Sequence, residues 1–119
     1  MAGRGYKDLI VWQKSIELTE LIYALVKGFP KEEIFGLSSQ MKRAAVSIPA
    51  NIAEGTGRKT QKDYKHFLSI AYGSALELET HLILSKRFMF GKIEMYKQIE
   101  NTHTEVLKML HKMHLTTED

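Results

Sequence analysis

Glu100-Asn101-Thr102-His103 sets a carboxylate and an imidazole one helical turn apart, the Glu-x-x-His element with which di-iron helical bundles hold their metals. A complete site of that kind needs a second such element and two further inward glutamates. Asp63-Tyr64-Lys65-His66 is the only approximate second copy, and its His66 falls off the apolar stripe of its segment. His103 falls on such a stripe, where a hydrogen-bonded core or interface histidine is the commoner occupant. His111 and His114, one turn apart near the end of the chain, make at most a weak chelate. The sequence therefore predicts no metal site and no cofactor, and a metal-dependent oxidase is the remotest function class considered.

Gly55-Thr56-Gly57-Arg58-Lys59-Thr60 invites comparison with a phosphate-binding loop. It lacks the four residues that must separate the first glycine from Gly-Lys-Ser/Thr, and it follows a helical segment where the motif follows a strand. No serine has a credible base and orienting partner, and no inward carboxylate pair suggests acid-base chemistry. The chain is expected to be non-enzymatic.

Charge clustering is the stronger signal. Lys42, Arg43, Arg58, Lys59, Lys62 and Lys65 place six basic side chains in one stretch, with Glu54 and Asp63 as the nearby acids. Phosphates of RNA or single-stranded DNA would suit such a group, each neutralised phosphate releasing counterions. An ordinary solvated face is the competing reading. Lys42 and Arg43 lie well over one helical turn from the rest, so two patches are also possible. Glu54 is placed to pair with Arg58 or Lys59, and Asn51 to satisfy backbone freed by Pro49. Single-strand recognition usually adds exposed aromatic platforms, for which Tyr6 is the main free candidate.

These residues must be positioned by helices. Leu9, Trp12, Ile16, Thr19, Tyr23 and Val26 recur at three- and four-residue steps over a first helix of about 8–27, with Asp8 as N-cap and Gly28 and Pro30 beyond its end. Pro30-Lys31-Glu32-Glu33 opens a second segment, about 31–54, broken near Gly36 and kinked near Pro49. Met41, Ala44, Ala45, Ile48 and Ile52 line one face of it. Thr60-Gln61-Lys62-Asp63 reads as a capping box for a third helix, about 60–88, with Tyr64, Phe67, Leu68, Ala71, Ala75, Leu78 and Leu82 facing inward. The fourth, about 92–114, carries Tyr96, Ile99, His103, Val106, Leu107, Leu110 and Met113. Four amphipathic helices with short connections predict an all-α, antiparallel up-down-up-down four-helix bundle forming one domain over residues 1–119.

Composition agrees. The 119 residues are 44% hydrophobic and 26% charged, enough for a core and a wet surface, with no cysteine for disulfides or thiolate metal sites. Met1-Ala2-Gly3-Arg4-Gly5 lacks the apolar core of a signal peptide, and no apolar run approaches the roughly 20 residues of a membrane span. A cytoplasmic protein with no membrane partner is expected. The net charge of +3 permits an acidic partner without demanding one.

The first and third helices carry more apolar surface than one neighbour covers. Val11, Leu18, Leu21, Ile22 and Leu25 form a second stripe on the first, and Tyr72, Leu76 and Ile83 flank the third. A single bundle would leave these in water, so Val11, Leu18, Leu21, Leu25, Tyr72, Leu76 and Ile83 are the expected contacts of a homo-oligomer.

Tyr6-Lys7-Asp8-Leu9 with Trp12-Gln13-Lys14, then Phe29-Pro30-Lys31-Glu32-Glu33, then the run from Ser39 to Gly55 resemble the signature of a known family. It is the four-helix-bundle family named after proteins encoded in intervening sequences of bacterial 23S ribosomal RNA genes. Phe67-Leu68, Ile70-Ala71, Gly73-Ser74 and Glu77-Leu78-Glu79 continue the resemblance, which covers about residues 6–113 and is most specific from Ala44 to Gly55. It implies an antiparallel bundle assembled as a homo-oligomer, typically a homopentameric ring. It also implies kinship with the accessory proteins of diversity-generating retroelements, similar basic bundles that engage a reverse transcriptase and nucleic acid. Tyr72 departs from the pattern, standing where arginine is frequent in relatives.

The functional expectation is an oligomeric bundle that binds RNA or another nucleic acid through its basic patches. The alternative is a protein-protein interaction scaffold with no nucleic-acid role.

Overall fold

The computed structural model describes residues 5–116. A short 3-10 turn, Gly5–Asp8, leads into helix α1, Ile10–Val26, and a second, Lys31–Glu33, precedes α2, Leu37–Thr56. Helices α3, Gln61–Arg87, and α4, Ile93–Thr116, complete the fold, and no strand occurs among the described residues. Each helix packs on its neighbours in sequence and α1 also packs on α4, while among the described residues the backbones of the diagonal pairs do not approach closely. That closed cycle with short connections is the up-down-up-down bundle, 44 Å long and about 20 Å across.

Local chemistry sets most of the ends. Thr60 takes extended backbone geometry and its hydroxyl accepts from the Asp63 amide at 3.1 Å, which starts α3. Asp8 does not cap α1: it closes the preceding 3-10 turn, and Leu9 occupies the N-cap position without a side-chain hydrogen bond. The second segment is interrupted at residues 34–36, and the Glu33 carboxylate accepts from the Leu37 amide at 3.1 Å to begin α2 afresh.

Helix α2 continues through Pro49, whose ring is buried. A proline there removes the donor that the Ala45 carbonyl would otherwise receive. Asn51, expected to compensate, does not. Its amide donates to the Ser47 carbonyl at 2.8 Å and lies 2.9 Å from Ser47 Oγ, which is itself 2.8 Å from Ser74 Oγ on α3. The hydroxyl of Thr19 on α1 reaches the Ala45 carbonyl instead, at 3.2 Å.

Small residues let α2 and α3 come close. A Cβ on Gly55 would stand 3.0 Å from Phe67 Cβ and 3.2 Å from a Tyr64 ring carbon, so any side chain here would press α3 back by a few tenths of an ångström.

The core is built from Leu18, Ile22 and Leu25 of α1, Met41, Ile48 and Ile52 of α2, Leu68 and Leu78 of α3, and Tyr96, Ile99, Val106 and Leu110 of α4. This corrects the assignment of the two stripes of α1. Val11, Leu18 and Leu25, expected as oligomer contacts, are buried inside the single chain, and Leu21 packs half-buried against the same cluster. Of the other stripe, expected to face inward, Val26 joins the core, whereas Leu9, Trp12, Ile16 and Thr19 are only partly covered and Tyr23 is exposed. The reason is physical: α1 is apolar on most of its circumference but packs on only two helices, α2 and α4, so one of its apolar sides stays nearer the surface. On α3 the flank remains at the surface as expected, with Leu76 40% and Ile83 50% exposed and Tyr72 half-buried.

Candidate nucleic-acid interface

The turn from α2 to α3 gathers four of the six basic residues singled out in the sequence, and the fold gives them different roles. Arg58 is ion-paired with Glu54 one turn back, and its guanidinium lies over the Phe67 ring, 4.6 Å from the centroid. Its charge is thereby largely compensated and its plane held in place. Lys59 and Lys62 are exposed and have no ion-pair partner among the described residues. Lys65 is half-buried and makes a contact of its own. A shallow depression of about 260 Å³ lies at the turn, lined by Gly55, Thr56, Arg58, Lys59, Thr60, Gln61 and Tyr64 but by neither Lys62 nor Lys65. Burial pushes the Tyr64 hydroxyl above its ordinary pKa, so it stays a neutral hydrogen-bonding phenol beside the turn. Gly55 is helical and buried and Gly57 caps α2 with ordinary right-handed geometry, so no phosphate-cradling loop exists here.

Lys42 and Arg43 form a separate patch. They sit near the other end of α2, roughly 20 Å from the turn at the ~1.5 Å rise of an α-helix. Lys42 reaches across to α1 and lies over the Tyr23 ring, 5.1 Å from its centroid. Arg43 is exposed, with no ion-pair partner among the described residues. Tyr23, Lys42, Arg43, Val46 and Ser47 line an open groove of about 410 Å³. Sequence reading missed Tyr23 as a surface aromatic because it counted the ring among the inward stripe of α1. The signal that could have found it is the apolar stripe on the opposite side of the same helix.

The remaining candidates resolve into structural roles. His103 is buried, with Nε2 2.8 Å from the Ala75 carbonyl of α3, while Glu100 turns outward and takes the Lys86 ammonium at 2.9 Å. The Glu-x-x-His element is therefore split between core and surface. His66 is exposed and stands edge-on to Phe67, and His111 and His114 flank the Tyr72 ring at 5.6 and 6.0 Å. Among the described residues no group of three or more histidines and carboxylates is placed to hold a metal ion. None of the described helices is long and apolar enough to cross a membrane.

Comparison with known proteins returns no match among curated proteins. It does return a solved structure, at 1.70 Å, of a protein of unknown function from the S23 ribosomal protein family of Bacteroides thetaiotaomicron VPI-5482. The two chains are 32% identical and superpose with a TM-score of 0.79, covering 90% of this chain and all of the other. The family model described as 23S rRNA-intervening sequence protein matches residues 7–112, nearly the whole bundle. With four helices in the same arrangement and that span of matched sequence, the chain belongs to the 23S rRNA-intervening sequence protein family.

Proposed function

We propose that this protein is a non-enzymatic, cytoplasmic bundle that self-associates and binds RNA or another nucleic acid through its α2–α3 turn. One observation carries the reading: Lys59 and Lys62 project from one end of the bundle with no acid among the described residues pairing them, beside an Arg58 already oriented by Glu54 and Phe67. Unpaired ammonium groups on a fixed turn lose little on meeting phosphate and gain by releasing its counterions. The seam of Tyr72, Leu76 and Ile83 supplies the self-association surface, and the family resemblance suggests a closed ring of five copies. Such a ring would present the turn repeatedly to one strand and raise a weak contact by avidity.

Fluorescence anisotropy with a labelled single-stranded RNA across a salt series tests this. Wild type is expected to bind with a steep loss of affinity as salt rises. Lys59→Ala with Lys62→Ala should reduce the slope of log affinity against log salt by about 1.4, some 0.7 for each single-strand phosphate that is no longer neutralised. Equal slopes, with the oligomeric state unchanged, would overturn the reading.

A protein-binding scaffold is the second reading, and the opposite end of the bundle favours it. Phe35 is 97% and Met89 86% exposed there, with Ile34, Phe88 and Ile93 also at the surface. Met89 in addition holds φ at 62°, a strained position for a side chain that contacts so little of its own chain. Replacing Phe35 and Met89 by serine should leave nucleic-acid affinity unchanged and abolish capture of a native partner. Loss of nucleic-acid affinity instead would count against this second role.

A further inference from the structure

We propose that Tyr23, Lys42 and Arg43 form a base-stacking subsite that makes the protein a reader of single strands and not of duplexes. The proposal rests on the nucleic-acid reading above and deepens it.

A phosphate contact needs only charge, whereas the base of an unpaired nucleotide also offers a flat π-face that a duplex keeps stacked away. A site selective for single strands must therefore hold an accessible aromatic ring within reach of cations. Tyr23 provides the ring, 41% exposed on the outside of α1. Its neighbour across the helix seam, Lys42, already carries a cation over the ring face at 5.1 Å. Arg43 extends from the next position with a planar guanidinium that can grip two phosphate oxygens at once. Val46, itself exposed, adds apolar surface beside the ring, and with Ser47 it completes the lining of an open groove of about 410 Å³.

The subsite also lies on a path to the basic turn. Arg43, Val46, Ala50 and Glu54 follow one another at three- and four-residue steps and are all exposed, so they form one outward stripe of α2 that ends beside Arg58 and Lys59. Glu54, the acid on this stripe, is occupied by Arg58. An extended strand can follow it over roughly 20 Å, with a base on Tyr23 at one end and phosphates on Lys59 and Lys62 at the other. A stiff duplex resting on the turn cannot present a base face to Tyr23 without melting.

The test uses the full-length protein and three labelled probes of equal length: oligothymidylate, an abasic oligodeoxynucleotide of the same charge, and a DNA duplex. Wild type is expected to bind oligothymidylate at least fivefold more tightly than the abasic strand, in line with ~1–3 kcal/mol for one stacked base. Tyr23→Ala should lower oligothymidylate binding to the abasic level while leaving the salt slope, the duplex affinity and the abasic affinity as they are. Tyr23→Phe should retain wild-type affinity, and Arg43→Ala should reduce the salt slope by about 0.7. The probe comparison needs no variant, so a folding defect in Tyr23→Ala cannot mask the answer. Equal affinity of wild type for oligothymidylate and the abasic strand, or undiminished binding by folded Tyr23→Ala, overturns the subsite and leaves the basic turn standing. Failure of wild type to bind any probe at low salt overturns the nucleic-acid reading and the subsite together.

Discussion

The Thr19 hydroxyl of α1 lies 3.2 Å from the Ala45 carbonyl of α2, the acceptor that Pro49 leaves without its helical donor. The same hydroxyl is 2.8 Å from the Ser15 carbonyl, so a single proton is shared between its own helix and its neighbour. A buried proline is thus accommodated in a continuous helix by a threonine on another one. Thr19→Val should cost about 1–2 kcal/mol in urea denaturation, by leaving a partly buried carbonyl unsatisfied. In a Pro49→Ala background the restored backbone N–H at position 49 supplies the donor, and the penalty should shrink below about 0.5 kcal/mol. Equal penalties in both backgrounds would show that the contact does not compensate the proline.

The exchange of the α1 stripes makes Leu18 and Leu76 a controlled pair. Leu18→Ala empties a fully buried site and should destabilise the fold by about 3–5 kcal/mol, and Leu18→Glu should not fold. Leu76→Glu combined with Ile83→Glu should leave the helical circular dichroism spectrum of the bundle intact and reduce the mass found by sedimentation. A folded, dissociated Leu18→Glu variant would restore the stripe of α1 to an interface role.

Met89 follows the C-cap of α3 with φ of 62°, where the Phe90 amide donates to the Ser85 carbonyl at 2.9 Å and the Met89 amide to the Lys86 carbonyl at 3.0 Å. This is the bond pattern in which a helix usually ends on glycine. Met89→Gly removes the Cβ strain at the cost of a freer unfolded chain, for a net gain of roughly 0.5–1 kcal/mol. Thermal unfolding should rise by a few degrees, whereas Met89→Ala, which keeps the Cβ, should show no gain.

Tyr96 is buried with its hydroxyl 2.8 Å from both Ser85 Oγ and the Phe90 carbonyl. Burial, before any other influence, raises its pKa above the usual value near 10. A tyrosine whose folded pKa is raised stabilises the fold fully below its unfolded pKa and loses that contribution as pH climbs through the folded value. Stability should therefore fall above pH ~10, and Tyr96→Phe should flatten that fall. The same substitution should cost about 1–3 kcal/mol at neutral pH, because Ser85 and Phe90 lose a buried partner. An unchanged alkaline profile would assign the transition to Tyr64, which burial also shifts upward.

Much of the fold was legible because helix ends and stripes are local chemistry. The Thr60 cap, the interruption around Gly36 and the inward face of α2 through Met41, Ala45, Ile48 and Ile52 all follow from residue type and spacing. Of the candidate site, the ion pair of Glu54 with Arg58 was readable as a one-turn spacing. The contact of Lys42 with Tyr23 was not, since it joins residues on different helices whose relative rotation no stripe specifies.

Residue order was enough to settle the helical class and the succession of the four helices, because period, caps and turn residues act within a few residues of one another. It also placed the six basic residues. Packing, in contrast, chose which side of α1 became core, since Val11, Leu18 and Leu25 compete there with Trp12, Ile16 and Tyr23 and both sets are apolar enough to fill it. It likewise divided the basic residues, pairing Arg58, leaving Lys59 and Lys62 without an acid partner among the described residues, and setting Lys42 and Arg43 roughly 20 Å away beside an exposed tyrosine. Charge in a sequence has a sign and a position. Its availability depends on which neighbour the packing brings within reach.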